Sequence, residues 1–158
     1  MPDESTKQPS FFVEAQRPVV ASMLNRIVPA GGEFPGAGDL DVIGYLDAVI
    51  VQSADLKRLF AEGVARVEIA SHTRHGRAFT ELSGEQQDAI LRGVESTAPE
   101  FFAALVLHTY SGYYSHPRVV RLLGSDVRPP QPGGYDLEPL DPRLLDRVRQ
   151  QRPMYRDA

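Results

Sequence analysis

Three potential metal ligands, Glu68, His72 and His75, are the first residues in this sequence whose types and spacing could support chemistry. They lie four and three positions apart, so a helix would carry all three on one face, and carboxylate and imidazole are both zinc ligands. Residues 66–77 also contain three arginines, which would repel a bound cation. We therefore favour a solvated polar face, and a stand-alone helical metal-dependent enzyme is the less favoured alternative.

Three aspartates close together in the sequence, Asp39, Asp41 and Asp47, are candidates for acid–base chemistry. Asp39 is better explained as the N-cap of a helix and Asp41 as a first-turn acid that complements the helix dipole. Ser111 lies in Tyr-Ser-Gly, not in the G-x-S-x-G turn that exposes a serine nucleophile.

Cofactor motifs are missing from the sequence. The glycines at positions 31, 32, 36 and 38 do not have the G-x-G-x-x-G spacing of a dinucleotide-binding turn. The chain has no cysteine, which excludes disulfides, thiolate metal sites and Cys-ligated iron–sulfur clusters. We expect no catalytic, cofactor-binding or metal-binding residue here, so the chain by itself is not expected to be an enzyme.

Apolar residues recur at three- and four-residue spacing along most of the chain, which predicts an all-α fold. We expect one compact domain of about six or seven short helices. The predicted helix starts are marked by N-caps or capping boxes, and two predicted helix ends are marked by glycines. The starts are Ser10 (with a kink at Pro18), Asp39, Ser53, Ser83 with Gln86, Thr97 with Glu100, and Asp141 before Pro142; the ends are Gly76 and Gly124.

Composition divides the chain into three parts. Residues 1–9 are predicted to be a disordered tip, residues 10–124 the helical domain, and residues 125–158 an extended segment with a short terminal helix. Proline and glycine exclude regular structure from much of the last part. Large apolar side chains there indicate a segment laid along a surface, either of its own domain or of a partner.

Tyrosines and arginines concentrate near the end of the helical domain and in the last segment. Tyr and Arg are enriched at binding hot spots, although core packing with local hydroxyl partners is the other interpretation for each tyrosine. The predicted partner interface comprises Tyr110, Tyr113, Tyr114, His116, Arg118, Pro129, Pro130, Pro132, Tyr135, Leu137 and Tyr155.

Four segments of the sequence occur in an order that resembles a known family. They are residues 27–47 (IVPAGGEFPGAGDLDVIGYLD), 79–91 (FTELSGEQQDAIL), 101–119 (FFAALVLHTYSGYYSHPRV) and 129–135 (PPQPGGY). The chain resembles subunit 3, the gamma or small subunit, of flavin-dependent gluconate and sugar dehydrogenases. Asp47 closes the Tyr-Leu-Asp run of the first segment, and the resemblance implies a structural hydrogen-bonding role for it.

The resemblance implies a non-catalytic small subunit that binds and stabilises a large FAD-dependent sugar or polyol dehydrogenase or oxidase. That partner would be a flavoprotein of the glucose-methanol-choline oxidoreductase type, which holds the FAD, and a cytochrome c subunit completes some such complexes. A transient assembly or export chaperone for the same flavoprotein is the alternative.

Charge and hydropathy limit which other partners we expect. The net charge is −4 with both signs mixed, which argues against nucleic-acid binding. No apolar run reaches the ~18 residues of a membrane span, so we expect no membrane insertion. Many family members carry a twin-arginine leader, whereas the first ten residues here lack a basic region and an Arg-Arg pair. We expect a cytoplasmic protein, or a periplasmic one if a leader has been removed.

Overall fold

The structure, a computed structural model, describes residues 10–124. This part is all-α, as predicted, with six α-helices and no strand among these residues. The helices are α1 (Arg17–Ile27), α2 (Val42–Ile50), α3 (Ala54–His75), α4 (Gly84–Thr97), α5 (Pro99–Ser115) and α6 (Pro117–Leu123). Short 3-10 turns at Ala37–Asp39 and Phe79–Glu81 complete the connections. The predicted N-terminal tip, C-terminal segment and last helix lie outside the described residues.

Helix α5 is the centre of this arrangement, because it packs against each of the other five helices. Its inward side chains include Phe101 and Leu105, both fully buried. Phe60 of α3 meets Phe101 edge to face, with ring centroids 5.5 Å apart. Aromatic pairs in this arrangement add attraction beyond the burial of their area, so the α3–α5 contact is a main element of the core.

Local capping signals set several helix boundaries where the sequence predicts them. The Ser53 side chain accepts a hydrogen bond from the Leu56 N–H, and Ser83 with Gln86 forms a capping box at the start of α4. Gly76 ends α3 with a φ of 65°, a left-handed conformation that glycine adopts without steric cost. These three predictions are confirmed.

Three predicted helix starts are wrong. The first helix begins at Arg17 with Pro18 in its first turn, where a missing N–H costs nothing, so Pro18 helps to start the helix instead of kinking it. Asp41, not Asp39, caps α2 by accepting from the Gly44 N–H. The Thr97 hydroxyl donates back to the Gly93 carbonyl inside α4, so it is not a cap for α5.

Asp39 instead holds the loop before α2 against α1. Its carboxylate accepts hydrogen bonds from the Asn25 amide at 3.0 Å and from the Gly36 N–H at 3.3 Å. Asn25 in turn accepts from the Gly38 N–H at 2.7 Å. A Cβ at Gly38 would collide with the backbone carbonyl of Ala21, so the glycines of this loop allow it to lie directly on α1.

Asp47 anchors the chain that precedes α1. Its carboxylate accepts from the backbone N–H groups of Phe11 and Phe12 at 2.9 and 3.0 Å. The Ser10 hydroxyl and the Arg17 guanidinium donate to its other oxygen at 3.1 and 2.8 Å. Asp47 is only 6% exposed, and buried carboxylates need such partners. The structure therefore supports the hydrogen-bonding role expected for this residue.

We expect Asp47→Asn to lower the free energy of unfolding by about 1.5–3 kcal/mol, because the amide keeps one acceptor oxygen for the Phe11 and Phe12 N–H groups but turns an NH2 group toward the Arg17 guanidinium and the Ser10 hydroxyl. Chemical denaturation measures the loss. Asp41→Asn is the matched control on the same helix, since asparagine caps as well as aspartate. Equal stability of the two variants would contradict the anchoring role.

A close approach between α3 and α5 depends on Gly63. A Cβ placed there would collide with the ring of Phe101, which is 1% exposed and cannot move aside into solvent. Overpacking of this kind typically costs 1–3 kcal/mol, which outweighs the gain of up to about 1 kcal/mol in helix propensity from Gly to Ala.

Gly63→Ala should therefore destabilise the protein by about 1–2 kcal/mol. Gly93→Ala is the control, because the nearest atoms to its new Cβ belong to the flexible Arg74 side chain at 3.4 Å. That variant should be neutral or more stable, through helix propensity. Thermal unfolding of both variants measures the difference, and a stable Gly63→Ala protein would show that the interface can relax.

Candidate partner-binding surface

The outer side of α5 carries large apolar side chains at the surface. We define the α5 outer face as Ala103, Leu107, Tyr110 and Tyr114, which follow one another at intervals of four, three and four residues. This spacing is that of a helix face that packs against another helix. Leu107 is 61% exposed, Tyr110 43% and Tyr114 51%. The helix is thus apolar on two sides, one in the core and one at the surface.

The two tyrosines of this face stack on each other. The rings of Tyr110 and Tyr114 are nearly parallel, with an interplanar angle of 8° and centroids 6.1 Å apart. Tyrosine offers a large contact area at a low cost in conformational entropy, and its hydroxyl can remain in water. The stacked pair is therefore a preformed aromatic platform at the surface.

An apolar groove runs beside this platform. Phe102, Val106, Leu107 and Tyr110 line it, with Pro99 at one end. Phe102 is half-buried and packs against the core from the groove side. The groove and the α5 outer face therefore form one continuous apolar surface.

Charged residues of α1 and α4 border this surface. Arg26 donates two hydrogen bonds to Asp88, from Nε at 2.7 Å and Nη2 at 2.8 Å, and both line a depression that also includes Tyr110. The hydrogen bond from Arg26 lowers the pKa of Asp88, with desolvation opposing it. The same bond raises the pKa of Arg26. A charged rim around an apolar centre is the usual composition of a protein interface.

Tyr113 is placed differently from Tyr110 and Tyr114, the other two predicted interface tyrosines on α5. It is 3% exposed, and its hydroxyl donates to the Pro35 carbonyl at 2.9 Å. Burial is the first cause of its raised pKa, followed by the nearby Tyr114. Tyr113 thus packs in the core and ties α5 to the loop before α2, so it does not belong to the exposed surface.

The other predicted interface residues fall near the α5–α6 junction or outside the described part. His116 is the N-cap of α6, where its Nδ1 accepts from the Arg118 N–H at 3.2 Å. The Arg118 side chain is exposed. The remaining six residues lie beyond residue 124. They are Pro129, Pro130, Pro132, Tyr135 together with Leu137, and Tyr155.

The sequence interpretation did not include Leu107 in the interface, nor Ala103, Phe102 and Val106, which also line this surface. The sequence signal for these residues was that apolar side chains lie on both the inner and the outer side of α5, a distribution that is typical of a helix buried all round. The structure instead places one of these apolar sides at the surface.

The candidate chemical residues are not arranged as a catalytic or metal site. Glu68, His72 and His75 lie along α3, but in residues 10–124 no three His, Cys, Asp or Glu side chains are placed to share a metal ion. The Ser111 hydroxyl donates to the Leu107 carbonyl at 2.9 Å, a bond within the helix. No helix in the same range is long and apolar enough to cross a bilayer.

Comparison with known proteins agrees with the family resemblance of the sequence segments quoted above. Residues 14–123 match the family described as gluconate 2-dehydrogenase subunit 3. The chain belongs to this family. No curated protein and no solved structure gives a significant match. The matched range includes all six helices and the α5 outer face, whereas the predicted interface residues from Pro129 to Tyr155 lie outside it.

The Arg26–Asp88 pair gives this member of the subunit 3 family a specific pH dependence. The pKa of Asp88 is lower in the folded protein than the ordinary value of about 3.9. The pair therefore stabilises the fold above that value, and the stabilisation is lost as the pH falls through the lower folded-state pKa.

At neutral pH, Asp88→Asn should lower the free energy of unfolding by about 1 kcal/mol, as expected for a well-aligned, partly exposed pair. The difference from the wild type should shrink as the pH falls below about 4. Asp55→Asn is the control, because its pair with Arg58 is 3.4 Å long and 92% of the Asp55 side chain is exposed. A difference at Asp88 that is independent of pH would contradict this account.

Proposed function

We propose that this chain is the non-catalytic small subunit of a flavin-dependent dehydrogenase or oxidase complex acting on sugars or polyols. Its partner is a large FAD-containing subunit of the glucose-methanol-choline type. Membership of the subunit 3 family supports the role of accessory subunit. The observation that carries the proposal is the apolar α5 outer face, with its stacked tyrosines, inside the family-matched range.

The physical basis of the proposal is the burial of this face. Contiguous apolar patches at the surface of a soluble protein commonly mark a binding site. Burying apolar area contributes roughly 25 cal/mol per Å², and Leu107, Tyr110 and Tyr114 are each more than two-fifths exposed. The same residues contribute little to the core of the domain, so their free energy remains available for association.

The proposed mechanism is stabilisation by binding. A small subunit that binds only the folded large subunit increases the stability of that subunit and of its FAD-loaded form. In this proposal the FAD and the oxidation chemistry reside in the large subunit, and this chain supplies contact surface. A cytochrome c subunit is a further partner in some such complexes.

Residues 125–158 belong to the same proposal through their composition. They contain Pro129, Pro130, Pro132, Tyr135 and Leu137. Proline lowers the conformational entropy that a segment loses on binding, and an aromatic and an aliphatic side chain offer contact area. We propose that these residues and Tyr155 also contact the large subunit.

The experiment is purification of the tagged chain from its native cells, with flavin absorbance and mass analysis of what co-purifies. The wild type should retain a large flavoprotein at one-to-one stoichiometry. The variant Leu107→Ser/Tyr110→Ser/Tyr114→Ser should retain more than about tenfold less, because truncation of interface anchors typically costs 2 kcal/mol or more each. Val13→Ser is the matched control, since Val13 is 60% exposed, precedes α1 and lines neither of the depressions beside α5.

Three results would contradict parts of the proposal. A colourless, monomeric wild-type eluate would remove the subunit function. Equal retention by the α5 variant and the control would remove the α5 outer face from the interface. Full retention after deletion of residues 125–158 would remove that segment. A flavoprotein that leaves during gel filtration, after it has folded, would favour the transient chaperone.

A further inference from the structure

A second apolar groove lies between α3 and α4. The α3–α4 groove is lined by Glu62, Arg66, Ile69 and Thr73 on one side, and by Ile90 and Gly93 on the other. Ile69 is 64% exposed, more than any other large apolar side chain in residues 10–124. The groove is separated from the α5 outer face by α4, whose Glu95 borders the α5 side instead.

Small residues make the α3–α4 groove accessible to a helix. Ala65 and Ala70 line it without large side chains, so that the backbone of an added helix can approach the α3 side closely. On the α4 side the Arg74 guanidinium lies against Gly93. The α3 side extends from Glu62 to Arg74, which corresponds to roughly 18 Å or three helical turns at 1.5 Å per residue. An amphipathic helix in an apolar groove of this length is a common mode of protein recognition.

Two arginines give the groove its charge. Arg66 and Arg74 lie eight residues apart on α3, roughly 12 Å along the helix axis. In the part of the chain that the structure describes, no carboxylate approaches either guanidinium within the 4.0 Å of an ion pair. Glu62 stands at the other end of the groove. The groove thus has a basic stretch and one acidic end.

We propose that the α3–α4 groove binds an acidic amphipathic helix of the large subunit, as a second contact with the partner assigned under the proposed function, on which this inference rests. Two carboxylates about two turns apart on that helix meet Arg66 and Arg74, and an apolar side chain between them packs on Ile69. Glu62 repels any carboxylate at its end of the groove, and this repulsion fixes the direction of the bound helix.

Binding by two separated surfaces would change the strength of the complex. Once the α5 outer face is engaged, the second contact forms within the complex and benefits from a high effective concentration. Charges at the edge of an interface mainly affect the association rate and its salt dependence. The groove should therefore add an electrostatic component to an otherwise apolar contact.

The test uses the full-length chain and the purified large subunit, with the Kd measured at low and at high salt. Arg66→Glu/Arg74→Glu should weaken binding by at least about tenfold at low salt and should flatten the salt dependence. Lys57→Glu/Arg58→Glu is the charge-matched control, because both residues are exposed on the same helix and neither lines a groove. Thermal unfolding of each variant confirms that the fold is retained.

A photo-crosslinking residue at position 69 identifies the occupant. It should join this chain to a segment of the large subunit that carries two acidic residues seven or eight positions apart. Crosslinking to a second copy of this chain, or to a segment without such acids, would overturn the inference. So would wild-type affinity of Arg66→Glu/Arg74→Glu. Failure of the wild-type chain itself to bind would instead overturn the proposed function.

Discussion

The fold depends on the buried carboxylate of Asp47, which joins the chain before α1 to α2. By accepting four hydrogen bonds from residues 10–17, it positions Phe12 for burial against Phe60, with ring centroids 6.3 Å apart. Phe60 in turn meets Phe101 of α5. A single polar anchor at the edge of the domain is thereby connected, through three aromatic rings, to the central helix.

Glycines then determine how close the central helix can come to its neighbours. Gly63 allows α3 to pack on the Phe101 ring, and Gly112 allows α5 to pack on α2, where an added Cβ would lie 2.8 Å from Tyr45. These contacts fix the rotation of α5 about its own axis. Because that rotation is fixed, Leu107, Tyr110 and Tyr114 are held at the surface and cannot turn inward to escape water.

Sequence reasoning succeeded where the signal is local. Ser53, Ser83 and Gly76 set their helix boundaries through contacts within four residues, and the all-α class follows from helical periodicity. It failed where a distant partner decides. Asp39 does not cap α2, because its carboxylate bonds to the Asn25 amide, 14 residues earlier in the chain. Tyr113 is buried, and its hydroxyl donates to the Pro35 carbonyl, 78 residues earlier. The four-residue spacing from Phe101 through Leu105 and Thr109 does reach Tyr113, so its burial follows from the helical pattern, whereas its bond to Pro35 depends on a distant partner.

The division of α5 into two apolar sides separates folding from association. Residues on its inner side, such as Phe101 and Leu105, are fully buried, and their loss would weaken the fold and any complex together. Residues on its outer face contribute little to the core, because they remain largely exposed in the free domain. The charged rim formed by Arg26 and Asp88 adds to the fold while it borders that face. The inner side of α5 thus holds the other helices together, while its outer face lies at the surface of the described residues.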